Sequence, residues 1–236
     1  ISVHGDYRVV GDQTLFAMPE TGIGLFPDVG GGYFLPRLEN GFGLYYALTG
    51  ARANAADCVA IGVATHYAPS DQHQRLRTDL LDATLSNDAN RDIEAILNEY
   101  HTAPGQSAVE EKREAIGRLF VGHKTLTDLL SIIEADDTTF ARETLKTLHS
   151  MSPTSLALTF EQMRRGADLS FNQAMMMEFR MVSRVMDGHD FFEGVRAQIL
   201  DKDKNPHWSP TQLTDLSPTT VDQYFKPLGE AELRLP

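Results

Sequence analysis

The sequence predicts an α/β protein, with a sheet-bearing segment over residues 1–70 and a mostly helical region over residues 71–236. Three observations carry that reading. The first segment holds most of the chain's 18 glycines and several short stretches of β-branched and aromatic residues. From Asp71 onward, apolar residues recur three and four apart, which is the helical period. No Pro/Gly/Ser-rich linker separates the two parts, so the helical region is expected to pack on the sheet-bearing core.

The elements follow in order. Tyr7 to Val10, Leu15 to Met18 and Ala64 to Tyr67 read as strands. Gly43 to Thr49 reads as a helix stopped by Gly50. Asn54 can cap a helix from Ala55 to Ile61 that ends at Gly62. Helical periodicity covers Asp71 to Leu85 and Asn90 to His101, followed by a turn-rich break at Thr102 to Ser107. Thr125 to Glu134 and Thr138 to His149 give two more helices. Ser152-Pro153 supplies a capping hydroxyl and a proline where a helix loses no bond. Ser170 and Gln173 have capping-box spacing. Behind them Met175, Phe179, Val182 and Met186 form one apolar stripe that ends at Gly188.

Bulk properties narrow the function. The 236 residues are 42% hydrophobic and 23% charged, ordinary values for a globular protein with a substantial core. The formal charge is −12, from 33 acids against 21 bases, which argues against nucleic acid as a partner. No apolar run has the length of a membrane span. The one cysteine, Cys58, excludes an intramolecular disulfide and reads as a small buried residue in a helix. The eight histidines show no metal-ligand spacing, and His189 reads as a helix-end residue. The Met175-Met176-Met177 run reads as core with one exposed neighbour, and Trp208 as a packing anchor. Ile1 opens the chain on an apolar segment, without methionine or a polar tail, so the chain is expected to be a fragment cut within a structured element.

The stretch from Met18 to Leu38 is the richest in chemistry. A strand is expected to end at Met18, where Pro19 stops ladder pairing. Glu20 then sits at a strand-to-loop junction, and Asp28 follows eight residues later. A fully extended path between them would span up to ~28 Å. Gly22 and Gly24 let the loop fold back and bring the two carboxylates together. Two carboxylates in one partly buried pocket cannot both ionise freely, which yields an acid and a base near neutral pH. Plain readings stand beside these. Asp28 can be the N-cap of a short helix beginning at Val29, and Glu20 a solvated loop residue. Gly30-Gly31-Gly32 lacks the spacing and the lysine of a phosphate loop.

These residues resemble a known family. The succession PE…G…P…GG…L, a helix ending ALTG, and A-x-x-A…GVATH is similar to the crotonase (enoyl-CoA hydratase/isomerase) superfamily. Glu20 matches a catalytic position of the hydratases. At Asp28 hydratases typically carry glycine, whereas 3-hydroxyisobutyryl-CoA hydrolases and dienoyl-CoA isomerases carry aspartate. The block from Phe16 to Leu38, the block Met151 to Leu156, and the block Gly188 to Ala197 with Asp201-Lys202-Asp203 and Pro206-His207-Trp208 resemble the hydrolase branch.

The resemblance implies a crotonase-like fold that lacks its N-terminal third, followed by the helical region. It implies hydrolysis of a short 3-hydroxyacyl-CoA thioester, first of all 3-hydroxyisobutyryl-CoA to 3-hydroxyisobutyrate and CoA in valine degradation. Another crotonase reaction, hydration or dienoyl-CoA isomerisation, is the near alternative, and a non-catalytic interaction paralogue the distant one. Glu20 and Asp28 would be catalytic and contact the substrate. Lys202 would meet CoA phosphates, against a plain reading as part of a charge-balanced loop, which weighs more for Lys204. No metal or separate cofactor is expected, since CoA is part of the substrate. Neither nucleic acid nor membrane is expected as a partner, and a homo-oligomer is compatible. The expected compartment is the cytoplasm in a bacterium and the mitochondrial matrix in a eukaryote. Residues upstream in the family supply the oxyanion donors, so the fragment alone is expected to be impaired.

Overall fold

A computed structural model describes residues 2–235; Ile1, and with it the reading of the chain's opening, lies outside them. The chain divides into two compact units, each assembled from separated segments. One unit joins Ser2–Phe16 to Arg52–Arg113, and the other joins Ala17–Ala51 to Glu114 onward. The division at 70/71 followed glycine content and periodicity, whereas the units follow spatial contact and interleave along the chain.

The first unit carries all four strands found among the described residues. β1 (Val9–Val10) pairs in parallel with β4 (His66–Tyr67), and β2 (Leu15–Phe16) pairs antiparallel with β3 (Ala53–Asn54). Each ladder has two strands, and β1, β2 and β4 are each shorter than the β-rich stretch that holds them. Asn54 serves twice: it ends β3 and caps α3 (Ala55–Ala60) in a capping box with Asp57. That double use is why β3 was not legible. α4 (His73–Asp82) and α5 (Ala89–Tyr100), the latter capped by Asp88, close the unit over a core of Ala68, Leu76, Leu97 and Tyr100. Cys58 is fully buried in α3, and burial pushes its thiol up to about 11, so it is packing rather than a nucleophile.

The second unit begins with α1 (Gly31–Phe34) and α2 (Phe42–Thr49), which Gly50 stops in the left-handed conformation. α6 (Arg113–Phe120), passed over in the sequence, starts at the junction between the units. α7 (Leu126–Glu134) and α8 (Thr139–Ser150) follow, capped by Thr125 and Thr138. α9 (Pro153–Gly166), capped by Ser152, is buried along most of its length. α10 (Phe171–Val185) carries the expected capping box of Ser170 and Gln173. α11 (Asp190–Val195) runs into a π-helical turn at Arg196–Leu200, and α12 (Pro218–Gln223) lies in the tail. Trp208 donates from its indole to the Ser150 carbonyl, 3.1 Å away.

The core of this unit joins Leu25 and Phe26 to Leu158, Met177, Met181, Val185 and Phe225. Each such side chain contributes about 1.5–3 kcal/mol by leaving water. The buried face of α10 differs from the expected stripe. Ala174, Met177, Glu178, Met181 and Val185 point inward, whereas Phe179 is exposed and Met175, Val182 and Met186 are half-buried. Two apolar stripes lie side by side on this helix, and the inner one contains an acid.

Asp57 is a buried polar tie of the first unit. It accepts from the Asn54 amide at 3.1 Å, the Ser107 hydroxyl at 2.8 Å and the Val109 amide at 3.0 Å. Asp57→Ala strands those donors and is expected to destabilise the protein by about 2–4 kcal/mol in denaturant unfolding. A loss within the error of the extrapolation would show the tie to be dispensable.

Candidate active site

Glu20 opens a single 3-10 turn, Glu20–Ile23. The ladder stops at Phe16 rather than Met18, so Glu20 is held by the turn and not by a strand end. Several contacts fix that turn. The Thr21 hydroxyl donates to the Leu48 carbonyl at 3.1 Å, and the Ser152 amide donates to the Thr21 carbonyl at 3.2 Å. The Leu25 amide closes the turn on the Glu20 carbonyl at 2.9 Å. Gly24, at φ +74°, lies against the Asp190 backbone; a Cβ there would sit 2.2 Å from the Asp190 carbonyl oxygen. Asp190 is itself fastened, accepting from the Ser152 hydroxyl at 2.5 Å and from the Ser209 amide at 2.7 Å. His189, just before α11, lies 3.2 Å from the same Asp190 oxygen that the Ser209 amide donates to.

The held carboxylate is unusual. Glu20 is half-buried, and its Oε2 is buried without a hydrogen-bond partner among the described residues. Burial pushes the carboxyl up from 4.5 to about 7; its own backbone amide opposes the rise, and the charge of Asp28 adds to it. Asp28 is half-buried and is likewise raised, chiefly by burial. The two carboxylates therefore lie within electrostatic reach of each other, on the two flanks of the Gly22–Gly24 bend.

Asp28 is not a helix cap. The helix begins at Gly31, its N-cap is Gly30 in the left-handed conformation, and no side-chain capping bond forms. A cap before Val29 fails because Val29 itself has φ +50°, outside the helical region.

A third acid, Glu178 on α10, was missed in the sequence. It is buried, and its two oxygens accept from the Gly30 amide at 2.9 Å and the Gly32 amide at 2.8 Å. Gln162 on α9 donates to the Pro27 carbonyl at 2.7 Å, on the same loop. Burial raises Glu178 to about 7 against the pull of both amides, and Asp28 adds to the rise. The signal in the sequence was an acid at the centre of the stripe Ala174, Met177, Met181, Val185.

Lys202 is exposed and follows the π-helical turn. No hydrogen bond or ion pair joins it to Glu20 or Asp28 among the described residues. Its acidic neighbours are engaged by Arg196, with Asp201 at 2.8 Å and Asp203 at 2.7 Å. One arginine thus takes both acids. No group of three or more His, Cys, Asp and Glu side chains suited to a metal ion occurs among the described residues. None of their helices is long and apolar enough to cross a membrane.

The fold and the paired carboxylates place the chain among known proteins. It belongs to the enoyl-CoA hydratase/isomerase family, whose model matches residues 1–225. It is 45% identical over 240 aligned positions to the mitochondrial 3-hydroxyisobutyryl-CoA hydrolase of Danio rerio, covering 100% of this chain and 62% of that protein. The hydrolase of the same description from Homo sapiens is 40% identical, with 99% of this chain and 61% of the relative covered. Among solved structures, a carnitinyl-CoA dehydratase from Mycobacterium thermoresistibile superposes with a TM-score of 0.85 at 34% identity, covering 99% of this chain and 65% of that one. An enoyl-CoA hydratase from Rhodobacter sphaeroides 2.4.1 gives the same score and identity, covering 100% and 66%. The fold is crotonase-like, and the chain spans about 62% of the length of the Danio rerio relative.

The raised carboxyls link the site to stability. A carboxyl raised on folding contributes stability that is fully present below its unfolded value, 4.5 for Glu20, and lost as pH rises through about 7. Glu20→Gln removes that loss. The variant is expected to gain on the wild type by up to about 3 kcal/mol between pH 4 and pH 8, read by urea unfolding at both. Parallel pH dependence in the two proteins would show Glu20 to titrate normally.

Proposed function

We propose that this chain carries the carboxylate pair of an acyl-CoA thioester hydrolase, acting on 3-hydroxyisobutyryl-CoA to give 3-hydroxyisobutyrate and CoA, a step of valine degradation. The observation that carries the reading is Glu20: a half-buried carboxylate, raised to about 7, with one oxygen left without a partner among the described residues. Such a group is matched to proton transfer near neutral pH. Water attacks the thioester carbonyl carbon, a C–O bond forms and the C–S bond breaks. Glu20 takes the proton from water and passes it to the departing thiolate. Direct attack by Glu20, giving an anhydride that water then opens, has the same outcome. Asp28 holds the substrate's 3-hydroxyl or helps place the water. CoA enters as part of the substrate, and the chemistry needs no further cofactor. Lys202 meets a CoA phosphate as a point charge, a role favoured by the engagement of its acidic neighbours with Arg196. In a eukaryotic cell the mitochondrial matrix is the compartment that fits relatives described as mitochondrial; in a bacterium it is the cytoplasm.

The likeness to an enoyl-CoA hydratase favours hydration as the second reading. One assay separates them. This chain, and a hybrid in which it replaces the matching segment of the Danio rerio relative, are supplied with 3-hydroxyisobutyryl-CoA and with an enoyl-CoA. Release of free CoA thiol from the first, without change of unsaturation in the second, is expected. Glu20→Gln and Asp28→Asn are each expected to slow the hybrid's thiol release by roughly 10²-fold. Wild-type turnover in either variant removes that residue from the mechanism. Hydration without thiol release overturns the hydrolase reading.

A further inference from the structure

Glu178 has no place in the chemistry above, yet the structure spends a buried acid on it. The other inward residues of α10 are Ala174, Met177, Met181 and Val185, so an apolar side chain at 178 would continue the stripe. A buried charge is tolerated only where hydrogen bonds replace water. Here the replacements come from one short segment: the amides of Gly30 and Gly32, one to each carboxyl oxygen. Gln162, which is also buried, lies 3.4 Å from Glu178 and ties the Pro27 carbonyl. The segment held at both ends is the one that carries Asp28.

The held conformation does not arise from local preference. Val29 is a β-branched residue at φ +50°, followed by Gly30 at φ +87°. Left-handed backbone at a β-branched residue persists only when its surroundings over-determine it. The Gly31 amide closes the turn on the Asp28 carbonyl at 2.8 Å, and the two bonds to Glu178 point the Gly30 and Gly32 N–H groups into the core.

We propose that Glu178 is a positioning residue for Asp28, gripping the loop through the Gly30 and Gly32 amides so that the Asp28 carboxyl is set at a fixed place beside Glu20. The inference rests on the catalytic reading of Asp28 given above. Glutamine at 178 retains shape but offers one acceptor oxygen to two amide donors, so the loop loses one of its two holds. Asp28 is then misplaced without being removed.

A double-mutant cycle on thiol release in the hybrid tests this. Glu178→Gln is expected to lower kcat by roughly 10- to 100-fold with little change in KM. In the Asp28→Asn background, Glu178→Gln is expected to have almost no further effect, because the group it places is already gone. Glu178→Asp, which keeps the charge and can reach at least one amide, is expected to fall between Gln and wild type. If Glu178→Gln does not unfold cooperatively, Glu178→Asp takes its place in the cycle. A damaging Asp28→Asn combined with a multiplicative double variant overturns the positioning role alone. An Asp28→Asn protein at full rate overturns the role of Asp28, and this inference with it.

Discussion

A carboxylate kept partly out of water is the constraint on which the site depends. The Glu20 turn is short, and nothing in four residues of 3-10 helix could hold a charged group away from solvent by itself. The hold comes from around it: Leu48 through Thr21, Ser152 through the Thr21 carbonyl, and the Asp190 backbone against Gly24. Gly194 completes the contact, since a Cβ there would sit 2.3 Å from the Ile23 backbone. Two glycines thus let α11 close on the turn at backbone distance. Larger residues at either place would push α11 away from it, and the carboxyl would regain its water.

The same logic arranges the three acids. Asp28 adds charge against both Glu20 and Glu178, and each glutamate is less willing to ionise than it would be alone. The two glutamates meet this repulsion differently. Glu178 is saturated by backbone amides, and its geometry is that of a structural acceptor. Glu20 keeps an oxygen without a partner among the described residues, and its geometry is that of a group awaiting a proton or a substrate. Similar proton affinities therefore accompany different tasks, and the hydrogen-bond partners separate the two.

What the sequence made legible was local. The caps at Asn54, Ser152 and Ser170 rest on contacts within three residues, and all three form. The helices after Asp71 lie close to their periodic stretches because an amphipathic face is written along the chain. Glu20 and Asp28 could be singled out because proline and glycine punctuate the segment. The failures were non-local. Asp28 was read equally well as a cap because spacing does not reveal that Val29 and Gly30 are left-handed. The stripe on α10 was placed one position off because Met175, Val182 and Met186 are as apolar as the residues that point inward. Glu178 was passed over because its partners lie 146 and 148 residues away in the chain. The pairing of Asp201 and Asp203 with Arg196 was likewise not legible, because a run of alternating acids and lysines does not show that an arginine five and seven residues earlier takes both acids.

The most direct test of the account is a carbon NMR titration of the Glu20 side-chain carboxyl, assigned by its loss in Glu20→Gln. A carboxyl held by this turn, with one oxygen buried and unpartnered, takes up its proton with a midpoint of about 7. A midpoint near 4.5 would mean that water reaches Glu20 freely, and the turn would then hold nothing that chemistry needs.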